Sequence, residues 1–589
     1  MENLIKFWEK KSQLIIWDKR PKKILFKKKF FNDGQCNIAF NCLKKNIQES
    51  RADKIGIITI DDQCNTLKYT YSEIENLVDN FIIFLRSNFK VKDLKNNIIS
   101  IHSSANIVSA VTMLACTKIG LTHCVLFEDL SKEAISTRLK LLKSKILITN
   151  TNEVNFNNTI KNQKNIKIIK FCEKETKSNN IKNINTSHFL KSKSKKIKKI
   201  AYKKINSNYP SFILFTSGTT GQPKGIMHST GGYLVYAKYT CQKQFGLTSK
   251  SKILTASDAG WINGHTYALY GPLSIGSTTL LLNKPINLLN LKILKHILLK
   301  EKIDILYLPV TLIRMLKKIS SKINFKSKHL KTLGSMGEPL SENVGQWFSK
   351  KFSFNKKQIV NTYFQTETGG ILCSRNSNEK TKNILFSSVG KPITKMLGIF
   401  IDNSLQANNE IKISNLWPGC MINVINGKKF FEKYWDKKNN FRLFDKASVI
   451  KNNIMIHGRM DDVMNIRGHR IGSAEIENIL LKLNRIYEAA AVSIYDETQG
   501  EKLILFLVGE EKLDAINKIL NDYFGSYALP EDIFFLNELP KTRSGKILRR
   551  LLKNIYENPF LTSYGDLSTI MNSKIVKIIQ NKVQNKTKI

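Results

Sequence analysis

The stretch Thr216-Ser-Gly-Thr-Thr-Gly-Gln-Pro-Lys-Gly225 decides how the rest of this 589-residue chain is read. It follows the apolar run Phe212-Ile-Leu-Phe215, which reads as a buried strand. Gly218, Gly221 and Gly225 disfavour helix and strand and let the backbone approach a ligand closely. Thr216, Ser217, Thr219 and Thr220 supply hydroxyls, and Lys224 supplies a positive charge. Amides, hydroxyls and a lysine in one loop make a cradle for a polyphosphate. The loop is not of the Walker type, which ends in Gly-Lys-Ser/Thr, because here Pro223 precedes Lys224. A plain surface turn does not need so many hydroxyls and glycines.

Upstream of the loop, Ile55–Ile60, 97–101, 124–127 and 146–149 read as strands. Helices start between them at Tyr71, at Ile107 (running to Ile119) and at Ser131, whose hydroxyl suits a cap. This alternation predicts a parallel sheet with helices on both faces. Downstream, strands at 253–256, 278–282 and 303–308 extend a second α/β unit over roughly 209–385. Residues 386–460 carry short β pieces at 397–401, 410–413 and 455–457. From Asp462 a compact α+β unit follows. Its helix from Ser473 presents Ile476, Ile479, Leu480 and Leu483 on one face, and 489–494 pairs with 503–508. The expected fold is α/β: a large N-terminal domain, 1–460, of two α/β sheet subdomains plus a small β-rich subdomain, then a small mobile α+β domain, 461–589. Residues 1–50 read as basic and irregular, anchored by Phe7, Trp8 and Trp17. Residues 150–208 read as the least ordered part, with a solvated lysine run at 191–199, and 580–589 as frayed.

The net charge is +47, from 94 basic and 47 acidic residues. Alone it suggests a nucleic-acid or anionic-surface partner. The excess is spread along the chain with no aromatic–basic platform, as lysine-rich codon usage gives, so no specific nucleic-acid partner is expected. No run of eighteen apolar residues and no signal core occur, so neither a membrane span nor export is expected. The nine dispersed cysteines contain no Cys-x-x-Cys pair and fit free thiols in a reducing cytoplasm.

Further clusters carry groups that apolar packing does not require. They are Asp258-Ala-Gly-Trp-Ile-Asn-Gly-His265, Gly337-Glu-Pro339, Asn361-Thr-Tyr-Phe-Gln-Thr-Glu-Thr-Gly-Gly370, Asp445, the arginine-rich Gly458–Arg470 and Pro540-Lys-Thr-Arg-Ser-Gly-Lys546. Together with the phosphate loop, these resemble the AMP-forming acyl-CoA synthetase (acyl-adenylate-forming) superfamily, most closely its acetate-activating branch. The likeness runs from about Phe7-Trp8 to Gly565–Thr569.

The resemblance implies two steps. A carboxylate attacks the α-phosphorus of ATP, giving acyl-AMP and pyrophosphate; the thiol of coenzyme A then attacks the acyl carbonyl and releases AMP. Positioning and charge neutralisation dominate such chemistry. It further implies that Thr216, Ser217, Gly218, Thr219, Thr220, Gly221 and Lys224 hold the β- and γ-phosphates. Gly337, Glu338 and Pro339, with Asn361, Thr362, Tyr363, Phe364 and Gln365, frame the adenine, and Thr366 touches the α-phosphate. Glu367 takes Mg²⁺, a hard cation that favours carboxylate oxygen. Asp445 binds the ribose hydroxyls, and Arg459 and Arg470 contact ribose and phosphate. Lys546 is the catalytic residue of adenylation. The hinge is Asp461, and rotation about it brings Arg467 and Gly468 to coenzyme A. Ile262, Asn263, Met336 and Phe364 form the acyl pocket. Acetate is the expected substrate, with propionate or a broader short-chain range as the alternative, and an anion- or nucleic-acid-binding protein on the same fold as the distant one. A lysine acetyltransferase and deacetylase acting on Lys546 are the one macromolecular partnership suggested. His265 is assigned no catalytic role.

The chain departs from the superfamily pattern in four places. Phe364 stands where acetate enzymes carry tryptophan, with Ile262-Asn263 and Met336 also altered around the pocket. Phe444 replaces a glycine before Asp445. Asn521 occupies the place of a coenzyme-A-contacting arginine, while Arg467 replaces a serine. No arginine-bearing segment for the nucleotide end of coenzyme A is recognisable near 150–165.

Overall fold

A computed structural model describes the chain apart from residues 91–93, 95–97, 129, 131, 151–165, 174–180, 195–197, 217–222, 321–324, 353–358, 378–384, 405–408, 426, 461–462, 467–468, 497–499, 543–544, 565–566, 568–569 and 588–589. Two large sheets organise the N-terminal part. One has eight strands in the order 181–185, 167–172, 146–149, 99–102, 123–126, 210–216, 224–229, 423–425. The other has nine, in the order 391–392, 373–374, 359–363, 332–336, 305–309, 252–255, 278–282, 55–60, 66–70. Their central strands pair in parallel and are buried throughout, which is why they read as unbroken apolar runs.

Helices cover both sheets, and local chemistry sets their ends. Tyr71–Asn88 starts in a capping box, Thr70 Oγ1 accepting from Glu73 N while Glu73 accepts from Thr70 N. Ile107–Ile119 starts on Asn106 and stops at Gly120, whose φ of +73° places it in the left-handed region. A four-stranded antiparallel sheet (399–402, 410–413, 441–450, 453–459) follows, and then a C-terminal α+β unit. In that unit 486–496 pairs antiparallel with 500–509, and helix Ser473–Leu480 packs on them. Among the described residues, no helix is long and apolar enough to cross a membrane.

Four expectations are corrected. The two α/β units exchange strands: the hairpin 55–70 edges the second sheet, while 210–229 completes the first. Local patterning identifies a strand but not its long-range partner. Within the part expected to be least ordered, 150–208, residues 167–172 and 181–185 instead extend the first sheet as parallel strands. In the lysine run, Lys193 pairs with Glu73, and Lys199 donates to Glu75 at 2.6 Å, so acidic groups on helix Tyr71–Asn88 dock it. Both termini are more regular than expected. Glu2–Ser12 is a helix that buries Trp8 against Tyr236 and Tyr239. Helix Lys574–Thr587 runs through the stretch expected to fray and buries Ile579 and Val583.

Candidate active site

The site lies outside the carboxyl ends of two neighbouring parallel strands, 332–336 and 359–363, where open α/β sheets place ligands. Strand 332–336 leaves the sheet through Gly337 at φ +91°, a turn that a side chain would strain. Strand 359–363 runs on through Phe364 and Gln365 into a short turn, Thr366–Thr368, closed by Gly369. Gly337, Glu338, Pro339, Thr362, Tyr363, Phe364, Gln365, Asp445 and Lys546 line one cavity of about 240 Å³.

Asp445 is anchored there. Its Oδ2 accepts from Tyr363 OH at 2.6 Å and from Gln365 Nε2 at 2.7 Å, so two aromatic-loop residues set the carboxylate's direction. Charge-assisted bonds of this length are among the stronger ones available to a side chain. Phe444, just before it, has a φ of +55°, so the backbone keeps a left-handed conformation that favours glycine. Arg442 stacks on its ring at 4.5 Å and Tyr434 meets it edge-on at 5.5 Å, contacts that offset part of the strain.

Lys546 reaches the cavity from the C-terminal unit on a tight turn. Gly545 N donates to Thr542 O (2.7 Å), Thr542 N to Lys546 O (2.8 Å), and Lys546 N to Thr542 Oγ1 (3.1 Å). The exposed Lys546 therefore projects from a stiff backbone. Glu338 accepts from Arg314 Nη2 at 2.6 Å and from Thr311 Oγ1 at 3.0 Å. Burial alone would raise its carboxyl, but Arg314, Arg549 and the Thr311 hydroxyl hold it below the usual range. Arg549 in turn clamps Glu477 with bonds of 2.7 and 2.6 Å.

Asn361, Glu367, Thr216 and Lys224 do not line this cavity. Asn361 is buried and spends its amide on Ser335 of the neighbouring strand and on the turn residues Phe386 and Ser388. Glu367 accepts from Tyr434 OH at 2.6 Å and is nearly buried. Among the described residues no group of three His, Cys, Asp or Glu could hold a metal. A lone carboxylate completed by water and substrate phosphates still suits Mg²⁺. Thr216 ends strand 210–216 opposite Lys224, whose ammonium lies 3.0 Å over the ring of Phe430. Ser217, Gly218, Thr219, Thr220, Gly221, Asp461, Arg467 and Gly468 lie outside the described residues, as does the expected Ser131 cap. For Arg459 and Arg470 the backbone is described: Arg459 pairs with Asp445, and Arg470 with Asn465. In the acyl-pocket set, Asn263 Nδ2 donates to the sulfur of the buried Met336, while its buried Oδ1 accepts no hydrogen bond among the described residues. Ile262 is buried beside it and Phe364 meets Tyr267 at 6.4 Å. Asn521 is exposed on helix Leu513–Phe524.

Sequence reasoning missed Thr311, Arg314, Glu477 and Tyr434, none of which sits in a recognisable cluster. It also missed His228, whose Nε2 contacts Thr366 O at 2.8 Å. His265 is a core residue, stacked on His123 at 5.5 Å and against Phe212 at 4.4 Å. Burial lowers all three imidazoles, His228 to about 4, His265 to about 3 and His123 well below its usual value. A histidine depressed in the folded state takes up its proton only on unfolding. Stability should therefore fall as pH drops below about 6.5, by up to about 1.4 kcal/mol per pH unit for each such group. Urea unfolding at pH 7 and pH 5 checks this, and His265→Gln should flatten the slope between them. An unchanged slope would contradict it.

The AMP-binding enzyme family matches residues 46–413, and the AMP-binding enzyme C-terminal domain matches 475–546. The chain is 31% identical to acetyl-coenzyme A synthetase of Helicobacter pylori (strain G27), over 98% of this chain and 93% of that protein. It is 30% identical to acetyl-coenzyme A synthetase of Escherichia coli (strain K12), over 98% and 93%. Among solved structures, an acetoacetyl-CoA synthetase from Streptomyces lividans superposes with a TM-score of 0.81 at 15% identity, covering 100% of this chain and 93% of that one. An anthranilate CoA ligase in complex with anthranoyl-AMP gives 0.73 at 17% identity, covering 88% and 97%. These last two bear on the fold, and the fold they share is the one described above. With both family matches in place and relatives aligned from end to end, the chain belongs to the AMP-binding enzyme family, among the acyl-CoA synthetases.

Proposed function

We propose that the chain is an AMP-forming acetate–CoA ligase of the cytoplasm. The observation that carries the reading is the end-to-end similarity to acetyl-coenzyme A synthetases. The cavity shared by Asp445, Gln365 and Lys546 supports it, because it brings together the carboxylate assigned to the ribose and the lysine assigned to adenylation. The acetate carboxylate attacks the α-phosphorus of ATP and pyrophosphate leaves. Lys546 neutralises charge between the carboxylate and the α-phosphate, Asp445 orients the ribose, and Thr216–Lys224 hold the leaving pyrophosphate. The coenzyme A thiol then attacks the acyl carbonyl, losing its proton, and AMP leaves. Glu367, directed by Tyr434, would hold Mg²⁺, which supplies charge neutralisation at the phosphates when bound. We place the domain boundary after residue 460, with the hinge at Asp461 and coenzyme A contacts at Arg467 and Gly468.

A panel of two- to four-carbon carboxylates in ATP–pyrophosphate exchange tests the reading, with acetate expected to give the highest kcat/KM. A preference for propionate or butyrate would favour the broader short-chain reading, which the smaller Phe364 supports. Glycolate belongs in the panel because Asn263 Oδ1 could accept from a hydroxyl. Phe364→Trp should shrink the pocket and lower propionate exchange relative to acetate by about tenfold or more, the discrimination one methylene allows. An unchanged ratio would remove Phe364 from the pocket wall.

A further inference from the structure

We propose that Thr311 is a positioning residue for the adenylation half-reaction, its hydroxyl latching the turn that carries Lys546 onto the large domain. This rests on the ligase reading above, in which Lys546 serves the first step and then swings away.

Thr311 lies in the first turn of helix Val310–Ser320, directly after strand 305–309. It is buried, and its Oγ1 sits 3.0 Å from Glu338 Oε1 and 3.1 Å from the carbonyl oxygen of Gly545. The first partner belongs to the same domain; the second belongs to the turn of the mobile unit, one residue before Lys546. A hydroxyl has one proton to donate, so the two acceptors compete for it. With the C-terminal unit docked, the bond to Gly545 is available. In that orientation Glu338 keeps the bond from Arg314, and when the unit rotates away the Thr311 proton is free to serve Glu338.

Shape restricts the contact as much as charge does. Gly545 has a φ of +84°, and a Cβ there would lie 2.6 Å from Thr311 Oγ1 and 2.7 Å from its Cβ. The turn thus seats flush on Thr311, and only glycine permits it. Three hydrogen bonds among Thr542, Gly545 and Lys546 already stiffen the backbone there. Fixing the Gly545 carbonyl therefore fixes the backbone from which Lys546 projects. Other contacts between the same two parts, such as Lys318 Nζ to Asn537 O at 3.4 Å and Lys446 to Glu475 at 3.0 Å, hold the C-terminal unit elsewhere. A displacement of about 1 Å at a catalytic group is enough to cost a large factor in rate.

The test compares Thr311→Val and Thr311→Ser in the full-length enzyme, measuring both half-reactions and the melting temperature. Thr311→Val should lower acetate-dependent pyrophosphate exchange about tenfold, mainly in kcat, as loss of one buried hydrogen bond with a stranded carbonyl allows. Conversion of supplied acetyl-AMP and coenzyme A to thioester should be unchanged or faster. Thr311→Ser, which keeps the donor, should restore exchange to near the parent rate, and Thr311→Val should lower the melting temperature by no more than a few degrees, for its lost bond to Glu338. Equal loss in both half-reactions, unchanged exchange in Thr311→Val, or a serine variant as poor as the valine one would each overturn the latch. If the parent enzyme catalyses no exchange with any short carboxylate, the ligase reading fails, and the latch fails with it.

Discussion

Replacing Lys546 with alanine should lower acetate-dependent ATP–pyrophosphate exchange by about 10²–10³ or more, while supplied acetyl-AMP and coenzyme A still form thioester. The size follows from the role proposed for the lysine: it would meet charge that develops between two anions, and removing one such preorganised donor costs about that much. The asymmetry follows from where it sits. Lys546 comes from the C-terminal unit on a turn docked against Thr311, and in the proposed cycle it lines the cavity for the first step and leaves it for the second. Stopped-flow assays of each half-reaction on the same preparation measure the split. A variant that loses both steps equally would argue against alternation of the domain. Lys546→Arg separates charge from position, since a guanidinium keeps the charge but not the compact ammonium, and exchange should remain well below that of the parent. The exposure of Lys546 also fits regulation by a lysine acetyltransferase and deacetylase, because acetylation removes the same charge that alanine does.

The sequence exposed the fold where chemistry is local and hid it where contacts are distant. The apolar runs at 55–60, 99–102 and 146–149 are legible because buried parallel strands admit little else. That 55–70 leaves its neighbours to edge the second sheet is not legible, since the pairing of Thr279 with Ile57 spans more than two hundred residues. Of the cavity residues, Gly337 and Lys546 stand in short motifs that sequence reading singles out, and Asp445 is reached only through the family resemblance. Thr311 and Tyr434 did not, as each acts through one hydroxyl in otherwise ordinary surroundings. Asn361 shows the converse. It sits within a conspicuous cluster, yet its amide is consumed by Ser335 on the neighbouring strand and by the carbonyls of Phe386 and Ser388 in a turn. Phe444 was visible as a departure from glycine, and its φ of +55° shows that the backbone kept the glycine conformation. Arg442 and Tyr434 packed against its ring were beyond sequence reasoning.

Asp79→Ala should be the most destabilising single change outside the site, lowering unfolding free energy by about 3–5 kcal/mol. Asp79 and Lys118 face each other between helices Tyr71–Asn88 and Ile107–Ile119, and both side chains are fully buried. Lys118 also lies 4.1 Å over the ring of Tyr202 and 4.0 Å from Glu75, which is itself engaged by Lys199 and Tyr202. Burial raises the Asp79 carboxyl and lowers the Lys118 ammonium, so desolvation outweighs attraction on both partners. Their presence is therefore a weak source of net stability. Removing one of them is different, because the other stays charged in an apolar interior with Glu75 as a distant substitute. The double change Asp79→Leu with Lys118→Met replaces both charges by apolar groups of similar volume. It should recover most of the loss, as apolar replacement of a buried pair is often neutral or stabilising. Urea unfolding of the three proteins at pH 7 separates the cases. If Asp79→Ala costs under about 1 kcal/mol, solvent or Glu75 must be compensating Lys118, and the pair does not govern the packing of the two helices. If the double variant is as unstable as the single one, the defect is the cavity and not the orphaned charge.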